Sequence, residues 1–586
     1  MKLRRATPVV ETPKANLVPD PSAFTDRVRL GDLLVEERIV AREIIEAAAA
    51  RSTGSRLGSI LLDDGLVDES ALARTVAQQL RVPFCDLRER MPDETALVFL
   101  AEADAHRYDA LPIECSDGVL QIALGDPLNV DLPSLLREIP VREVRIAVAA
   151  PSYLRMRLNQ AYRALAEIST DVEAFAVSDV ANAAELVDTI NVSVDDDAPV
   201  VAVVTKILTQ ALRDRASDVH IEPTDARVRV RYRVDGRLNE VLSLPSEMGP
   251  AMVSRIKIMA EMNIVERRRP QDGQFEMTVD GRNLDVRVST TSTIWGEKTV
   301  MRLLDRSRSL YRLSDLGMPQ RLHETYSKIV RSPFGMVIVS GPTGSGKTTT
   351  LYATLSEINQ PDMNVMTIED PVEYVFPLVN QIQISEQAGL TFASGLKSIL
   401  RQDPDVILVG EVRDVETARI AVQSAMTGHL VLSSVHAIDS ISALYRLLDM
   451  GVETFLITSA VVGVVAQRLV RRICKNCAVT YEPPMSQVAL FRKLGGGEKT
   501  EWWKGEGCTF CSGSGYFDRI GVYEVLQLSE EVRQSVIDGN TPKATREIAI
   551  EQGLSTLQAE AMQLVAQDLT TIDEVIRHVF VSEAME

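Results

Sequence analysis

The sequence has 586 residues, which is more than one domain of ordinary size accounts for. Its composition, 45% hydrophobic and 25% charged, is typical of globular proteins, and no apolar run is long enough to span a bilayer. The net charge of −19 argues against a nucleic-acid partner, because phosphate binding needs clustered Lys and Arg. The N-terminus lacks the apolar segment of a secretory signal and Cys85 and Cys115 suit a reducing compartment, so a cytoplasmic location is expected.

The first third of the chain divides into three predicted segments. Residues 1–25 are rich in proline and polar residues and predict a disordered tail. Residues 26–165 form an N-terminal module, with helical spacing first and then the mixed spacing of a small α/β unit. The pattern Arg-Leu-Gly-x-x-Leu occurs in it twice, from Arg29 and from Arg56. Residues 166–198 are acidic and weakly patterned, which predicts a linker.

Two further domains are predicted after the linker. The first, 199–310, opens with a helix and contains a hairpin over 227–244 with Asp235-Gly236 at its turn. In the second, 311–586, the stretch MVIVSGPTGSGKTTTLYATLSEI places a buried strand, a glycine loop and a helix in sequence. This order is typical of a nucleotide-binding α/β core.

The glycine loop matches the phosphate-loop pattern GxxxxGK[ST] at every fixed position. In such a loop, backbone N–H groups surround phosphate oxygens, Lys347 reaches the β- and γ-phosphates, and the Thr348 hydroxyl binds Mg²⁺. A chance glycine-rich loop is the alternative, but the flanking strand and helix argue against it. The predicted nucleotide-binding residues are Gly341, Pro342, Thr343, Gly344, Ser345, Gly346, Lys347, Thr348 and Thr349.

Two apolar stretches that end in acidic residues follow the loop. The strand-like run 406–409 leads to Glu411, and TIEDPVEY carries Glu369, Asp370 and Glu373. Each carboxylate alone could be a solvated surface charge. Beside a phosphate loop, at least one of them is expected to serve hydrolysis by holding Mg²⁺ or orienting water.

Histidines and cysteines supply the remaining candidates. His429 and His436 flank an apolar strand in TGHLVLSSVHA, and both structural and nucleotide-sensing roles stay open for them. Four of the six cysteines form a CxxC…CxxC pattern, which suits tetrahedral Zn²⁺ better than disulfides in a reducing compartment. The predicted ligands of this structural zinc are Cys474, Cys477, Cys508 and Cys511.

In this order, GPTGSGKT, TIEDPVEY, ILVGEVRD and TGHLVLSSVHA resemble the Walker A, Asp, Walker B and His boxes of the secretion and pilus ATPase superfamily. The resemblance covers about residues 199–586 and includes RASDVHIEP, RYRVDGRL, RRRPQDGQF and RVSTTSTIWGEKTVMRLL. It implies a RecA-like phosphate-loop ATPase core preceded by a PAS-like second domain, N2. It also implies a homohexameric motor that hydrolyses Mg²⁺-bound ATP.

The resemblance assigns roles to particular residues. Glu373 would be the general base that activates water, and Glu411 would act through Mg²⁺ and its waters. Fixed cations near the γ-phosphate would stabilise developing charge. One departure concerns the sensing geometry, because Ser433-Ser434-Val435 replaces the usual threonine-leucine stretch. The side chains that the resemblance places near phosphate or in sensing are Arg287, Arg302, Arg401, Arg413, His429 and His436.

The cysteine pattern is similar to that of assembly motors rather than retraction motors. It implies a zinc subdomain over 470–515 that docks an inner-membrane platform protein and associated cytoplasmic assembly proteins. The chain would then lie at the inner face of the membrane and touch it only through partners.

Residues 56–79 resemble a cyclic di-GMP motif, RLGxxLxxxGx₆Lx₃(L/V)xxQ, in the N-terminal domains of these motors. An earlier copy, from Arg29, has Arg38 in place of the glycine and Ser52 in place of the glutamine. Helical packing alone could also explain the pattern, so cyclic di-GMP binding and partner docking both remain open. The implied nucleotide-contacting residues are Arg29, Leu30, Gly31, Arg56, Leu57, Gly58, Gly65 and Gln79.

The sequence therefore favours an ATPase motor of type IV pilus assembly. A type II secretion ATPase is the first alternative, since the two kinds of motor share these motifs. A nucleotide-responsive scaffold with little hydrolysis is the second, and the acidic residues Glu373 and Glu411 argue against it. The acidic net charge disfavours a DNA-translocating motor.

Overall fold

The computed structural model describes residues 29–51, 56–64, 66–88, 90, 92–116, 118–128, 130–162, 199–305, 312–508 and 510–580. The chain separates into two compact units, Met1–Asp305 and Arg306–Glu586. The expectations for a disordered tail (1–25) and a linker (166–198) lie outside the described residues. Within the described ranges, no helix is both long and apolar enough to cross a bilayer.

Short helices precede a small sheet at the N-terminal end of the first unit. Strand β1 pairs antiparallel with β2, and β2 pairs parallel with β3, so this part is the small α/β unit that the sequence predicts. The elements are α1 (Leu30–Glu36), α2 (Arg42–Ala50), α3 (Leu57–Asp63), α4 (Glu69–Leu80), α5 (Glu94–Leu97), α6 (Glu102–Arg107), β1 (Ala110–Ser116), β2 (Val119–Leu124), α7 (Leu132–Glu138), β3 (Glu143–Val148) and α8 (Pro151–Ala161).

The second half of the first unit is an antiparallel six-stranded sheet in the order β6-β5-β4-β9-β8-β7. Alternating apolar residues of β5 pack on two helices of this half, Pro199–Arg213 and Met248–Met259, as period-two spacing predicts. The predicted turn has φ 48° at Asp235 and 84° at Gly236, the two positive angles of a type I′ hairpin. The elements are α9 (Pro199–Arg213), β4 (Asp218–Pro223), β5 (Arg227–Val234), β6 (Arg237–Pro245), α10 (Met248–Met259), β7 (Gln271–Val279), β8 (Arg282–Thr293) and β9 (Gly296–Asp305).

The second unit is a doubly covered α/β core with a small extension. Its α-helices are α11 (Gln320–Val330), α12 (Lys347–Ile358), α13 (Phe392–Ile399), α14 (Val415–Met426), α15 (Ser440–Asp449), α16 (Thr454–Ala460), α17 (Met485–Lys493), α18 (Glu530–Ile537), α19 (Pro542–Glu551), α20 (Leu557–Ala566) and α21 (Ile572–Val579). Its strands are β10 (Gly335–Ser340), β11 (Val365–Glu369), β12 (Val379–Gln383), β13 (Val406–Val409), β14 (Leu430–Val435), β15 (Val461–Ile473), β16 (Ala478–Thr480), β17 (Trp503–Gly505) and β18 (Tyr516–Gln527). Short 3₁₀ helices cover Leu313–Leu316 and Glu386–Ala388.

The large sheet of this unit has the strand order β12-β11-β13-β14-β10-β15-β18. Every neighbouring pair is parallel except β15 and β18. Strands β10, β11, β13 and β14 are buried along their whole length, because helices cover both faces of a parallel sheet. Their carboxyl ends therefore meet at one edge, where ligands bind in open α/β sheets. The predicted mixed α/β class is confirmed.

Candidate active site

The phosphate loop connects the buried strand β10 to helix α12 at the carboxyl edge of the large sheet. Gly346 is the N-cap of α12 with φ 88°, a left-handed conformation that glycine adopts without a steric penalty. Thr348 and Thr349 lie exposed in the first helical turn, where backbone N–H groups point away from the helix. The loop thus has the geometry of an anion site at a helix N-terminus.

Gln467, on β15, holds this loop in place. Its side-chain amide donates to the carbonyl of Ser345 over 2.7 Å, and its side-chain oxygen accepts the Thr350 hydroxyl proton over 2.8 Å. A Cβ on Gly341 would lie 2.7 Å from the Gln467 carbonyl, so the close approach of the two segments requires glycine there. Sequence reasoning missed Gln467, which lies more than a hundred residues beyond the loop and in no motif.

Lys347 folds back over the loop that precedes it. Its Nζ donates to the carbonyls of Gly341 at 2.9 Å and Pro342 at 3.1 Å. Burial lowers the pKa of Lys347 and nearby Arg468 lowers it further, whereas the negative charge of Glu411 opposes that shift. The ammonium group is therefore partly desolvated and close to an acid, as a residue that receives phosphate charge should be.

Glu411, at the carboxyl end of β13, is the centre of a small charged cluster. Its carboxylate contacts the guanidinium of Arg413 and lies 3.6 Å from Nε2 of His436. The side chain of Glu411 is 16% exposed, while those of Arg413 and His436 are mostly solvent-accessible at 63% and 50%. Tertiary structure thus brings His436 next to two neighbouring residues of ILVGEVRD.

The two serines that depart from the usual His-box sequence have a structural role here. Ser433 donates its hydroxyl proton to the carbonyl of Val409, and Ser434 donates to that of Gly410, both over 2.8 Å. Both serines are buried in β14. They tie β14 to the end of the neighbouring strand β13 and so help to fix the backbone that carries Glu411.

His429 lies apart from this cluster, and its sensing role stays a prediction. It precedes the first residue of β14, whereas His436 follows the last, and a six-residue strand separates them by about 20 Å. Nδ1 of His429 lies 2.9 Å from the Ser424 carbonyl at the amino edge of the sheet. Arg401, just after α13, donates to the Lys397 carbonyl over 2.9 Å.

The acidic stretch TIEDPVEY contains one buried carboxylate, Glu369, and one in a loop, Glu373. Glu369 ends β11, is only 3% exposed, and accepts hydrogen bonds from Tyr352, Thr367 and Gln381. Glu373 lies in the following irregular segment, and its backbone N–H donates to the Tyr352 hydroxyl over 3.1 Å. Because Glu369 is buried and already accepts three hydrogen bonds from protein groups, Glu373 is the better candidate base.

In the first unit, Arg287 on β8 and Arg302 on β9 are direct cross-strand partners. Arg302 is also opposite Asp218 on β4, and its Nε lies 3.3 Å from that carboxylate. Like charges in such a register repel each other. The Arg302 side chain is 59% exposed, so an anionic ligand could reach its guanidinium.

The four predicted zinc ligands converge in the small extension of the second unit. Their sulfur atoms all lie within 4.8 Å of one another. Three measured pairs are 3.7, 3.8 and 3.9 Å apart, close to the edge of about 3.8 Å expected for a tetrahedron with Zn–S bonds of about 2.3 Å. Cys474 and Cys511 are buried. The residues present therefore fit a structural, four-coordinate Zn²⁺.

Backbone donors complete the surroundings of this cysteine cluster. The N–H groups of Gly507 and Gly515 point at the sulfurs of Cys477 and Cys511 over 3.3 and 3.2 Å. Such bonds stabilise thiolates, the form in which cysteine binds metal. The antiparallel pair β16–β17 supports the cluster, and the backbone of Gly505 runs against that of Gly515, which leaves no room for a side chain.

The repeated Arg-Leu-Gly pattern of the N-terminal module forms two equivalent helices. Arg29 and Arg56 are the N-caps of α1 and α3, both in the same extended conformation. A Cβ on Gly31 would meet Leu57, and one on Gly58 would lie 3.6 Å from Leu30, so each glycine faces the other copy's leucine. Arg56 pairs with Asp126 over 2.7 Å. Gly65 and Ser52 lie outside the described residues.

Arg38 occupies the position of the missing glycine in the earlier copy. Its φ of 59° is left-handed, so the backbone keeps the glycine conformation without the glycine. The substitution carries a steric cost of about 1–2 kcal/mol. Arg38 therefore adopts a backbone conformation that glycine would adopt without strain.

Comparison with known proteins covers nearly the whole chain. The Type II/IV secretion system protein family matches residues 193–577, and the MshEN domain family matches 80–168. The type IV pilus assembly ATPase PilB of Myxococcus xanthus is 36% identical over 562 residues, covering 94% of this chain and 98% of the relative. PilB of Thermus thermophilus is 38% identical, and the match covers 94% of this chain and 66% of the relative's length. Type II secretion system protein E of Xanthomonas campestris is 37% identical over 93% of this chain and 97% of the relative.

Proposed function

The chain belongs to the Type II/IV secretion system protein family and is an ATPase; from this premise we propose that it is the motor of type IV pilus assembly. Its work would be to add pilin subunits through an inner-membrane platform protein at the cytoplasmic face of the membrane. The motor would act as a homohexamer, and ATP with Mg²⁺ would supply the free energy.

One arrangement carries this proposal: a phosphate loop and two acidic segments at a single edge of one sheet. Bound ATP would place its phosphates at the N-terminus of α12, with Lys347 and Thr348 against the phosphates and Mg²⁺. Glu411 would hold the metal's water, with His436 and Arg413 fixing its carboxylate. Glu373 would accept the proton of the attacking water. Arg287 and Arg302 would add positive charge at the phosphates.

The cysteine cluster supports an assembly role. Zn²⁺ would close the excursion between β15 and β18 into a rigid knob, since four thiolates on one metal cross-link the two CxxC pairs near its ends. We propose that this knob, 470–515, docks the membrane platform and its associated assembly proteins.

The N-terminal module is proposed to bind cyclic di-GMP. Two observations support the proposal: the MshEN match over 80–168, and the paired helices with their N-cap arginines, Arg29 and Arg56. An arginine plane could stack on guanine, and the buried glycines let the two helices pack closely enough to bring both arginines to one site. Leu30, Leu57 and Gln79 would line the same site.

Type II secretion is the second candidate. The Xanthomonas campestris relative is as similar and as completely covered as the pilus ATPase of Myxococcus xanthus. Deletion of the gene in its own organism separates the two. Loss of surface pili with normal protein export supports the pilus motor, whereas loss of export with normal pili supports the alternative.

The first biochemical test is Mg²⁺-dependent ATP hydrolysis against protein concentration, for the native chain and Glu373→Gln. The proposal expects activity per subunit to rise as the protein assembles and to fall at least a hundredfold in the variant. A chain that binds ATP but does not hydrolyse it at any concentration, even with its platform protein, would instead be a nucleotide-responsive scaffold.

A further inference from the structure

Glu373 lies in a segment without regular secondary structure. Residues 370–378 connect β11 to β12 and form neither a strand nor a helix. Side-chain oxygens accept from their N–H groups instead: Gln383 Oε1 from Val372 (3.2 Å), Tyr352 Oη from Glu373 (3.1 Å) and Gln381 Oε1 from Phe376 (2.8 Å). These side chains therefore help to hold the backbone that carries Glu373.

Two of these side chains are anchored by the same buried acid. The Tyr352 hydroxyl donates to Glu369 Oε2, and the Gln381 amide donates to Glu369 Oε1 over 3.1 Å. Thr367 donates to that oxygen as well, over 2.6 Å. Burial, and then the charge of Glu369, raises the pKa of Tyr352, so its proton stays in the bond to the acid. The phenol oxygen can then accept from Glu373 with a fixed orientation.

Tyr352 also connects this segment to the phosphate loop. It lies five residues after Lys347 on α12, the helix whose N-terminus forms the anion site. Its ring packs edge-to-face on Phe376 and Tyr374, with centroids 5.0 and 6.1 Å away. One side chain thus joins the helix that would carry the phosphates to the middle of the segment that carries the candidate base.

We propose that Tyr352 is the positioning residue of the active site, which sets the distance between Glu373 and the phosphates bound at α12. The inference rests on the proposed role of Glu373 as general base. Glu369 is the buried anchor of Tyr352 and has no role in proton transfer. A shift of α12 on nucleotide binding would be passed through this hydroxyl to the base.

The test is a double-mutant cycle in the full-length chain, with Tyr352→Phe, Glu373→Gln and the double variant. Tyr352→Phe removes one oxygen and keeps the ring contacts. Supporting residues of this kind typically contribute tenfold to a hundredfold to activity. The expected result is a fall in kcat of that size with less than a threefold change in KM for ATP. In the Glu373→Gln background, the same substitution should change kcat less than twofold, because its target is already absent.

Tyr326→Phe is a matched control. Tyr326 is fully buried, and its hydroxyl hydrogen-bonds over 2.7 Å to Thr354 on α12, the helix that carries Tyr352. Both variants lose one buried hydroxyl, so they should lose similar stability. Only Tyr352→Phe should lower kcat.

Amide hydrogen exchange provides a second readout that needs no turnover. Faster exchange over 370–378 in Tyr352→Phe, with α12 unchanged, supports the proposal. If Tyr352→Phe kept the wild-type kcat while Glu373→Gln lost activity, the role of Tyr352 would be overturned and the role of Glu373 would stand. Equal losses from Tyr352→Phe in both backgrounds would also overturn it. Full activity in Glu373→Gln would refute the general base of the proposed function, and this inference with it.

Discussion

Arg287 and Arg302 lie directly opposite each other on two neighbouring antiparallel strands. Two guanidinium groups in that register destabilise the sheet by roughly a few tenths to 1 kcal/mol. We expect such a pair only where another benefit outweighs this cost. Asp218, opposite Arg302 on its other side, offsets part of the repulsion. The register is therefore an observation that supports the proposed anion-binding role.

Arg287→Gln should lower kcat/KM for ATP at least tenfold without lowering the melting temperature. The repulsion is relieved while a cation proposed to stabilise phosphate charge is lost. The matched control is Arg282→Gln on the same strand, whose side chain is 47% exposed and pairs with Asp305. Steady-state kinetics and thermal unfolding of both variants decide it. Equal kinetics in the two variants would count against the phosphate role.

Glu411→Gln should reduce kcat by roughly a hundredfold or more while ATP still binds. The substitution removes a negative charge that interacts with Lys347 of the phosphate loop. The metal and its water would then be bound less firmly. Glu416→Gln is the control, because that side chain is 60% exposed and pairs with Lys397 on the surface. Binding is measured with a fluorescent ATP analogue and turnover by phosphate release. A variant that retained normal turnover would exclude Glu411 from the chemistry.

Cys508→Ser should abolish binding of one zinc equivalent per chain and lower the melting temperature. Three thiolates close the site less well than four, and zinc binding is coupled to folding of the extension. Cys115→Ser, outside the cluster, should change neither quantity. Metal content is read by elemental analysis. If the native protein held no zinc when purified without chelators, the assignment would be wrong.

Stability should fall in acid partly through Glu574. Burial alone would raise the pKa of this acid, but hydrogen bonds from Arg471 and His578 lower it to about 2, well below the ordinary carboxyl value. The side chains of Arg471 and Glu574 are 4% and 1% exposed, with nitrogen–oxygen distances of 2.8 and 2.5 Å. A carboxyl whose pKa is lower in the folded than in the unfolded chain stabilises the fold at any pH above its unfolded pKa. For Glu574 this stabilisation is about 3 kcal/mol, and it disappears as the pH falls from about 4.5 towards 2.

The pH prediction is checked with unfolding free energies of the native chain and Glu574→Gln from about pH 7 down to about pH 2, a range that includes both pKa values of Glu574. The variant should be less stable near neutrality, since it leaves a buried arginine unpaired. The gap between the two proteins should narrow as the pH decreases. A gap independent of pH would mean that the ion pair does not titrate in this range.

Arg38→Gly should stabilise the N-terminal module by about 0.5–1 kcal/mol. Glycine removes the steric cost of the left-handed φ of 59°, and its greater freedom in the unfolded chain takes back part of the gain. Thermal unfolding of the native and substituted chains measures this. Arg51→Gly is a control at a residue with φ −84°, where glycine should destabilise. Stabilisation at both positions would contradict the conformational explanation.

The sequence by itself determined the parts of the site that lie in contiguous stretches. The phosphate loop, its strand and its helix follow from local spacing, because a glycine turn and a helix N-terminus are built from neighbouring residues. The four cysteines follow from ligand chemistry, since two CxxC pairs on one excursion have few ways to be satisfied. The hairpin at Asp235-Gly236 follows from the positive φ that its turn requires.

Tertiary structure decided which distant residues meet. Strand order places Gln467 against the phosphate loop and brings Tyr352, Glu369 and Gln381 together, although no local pattern marks them. It also places His429 and His436, which are only seven positions apart in the sequence, at opposite ends of one strand. The physical reason is that a parallel sheet gathers the carboxyl ends of strands that are far apart in the chain, and holds the two ends of each strand at opposite edges.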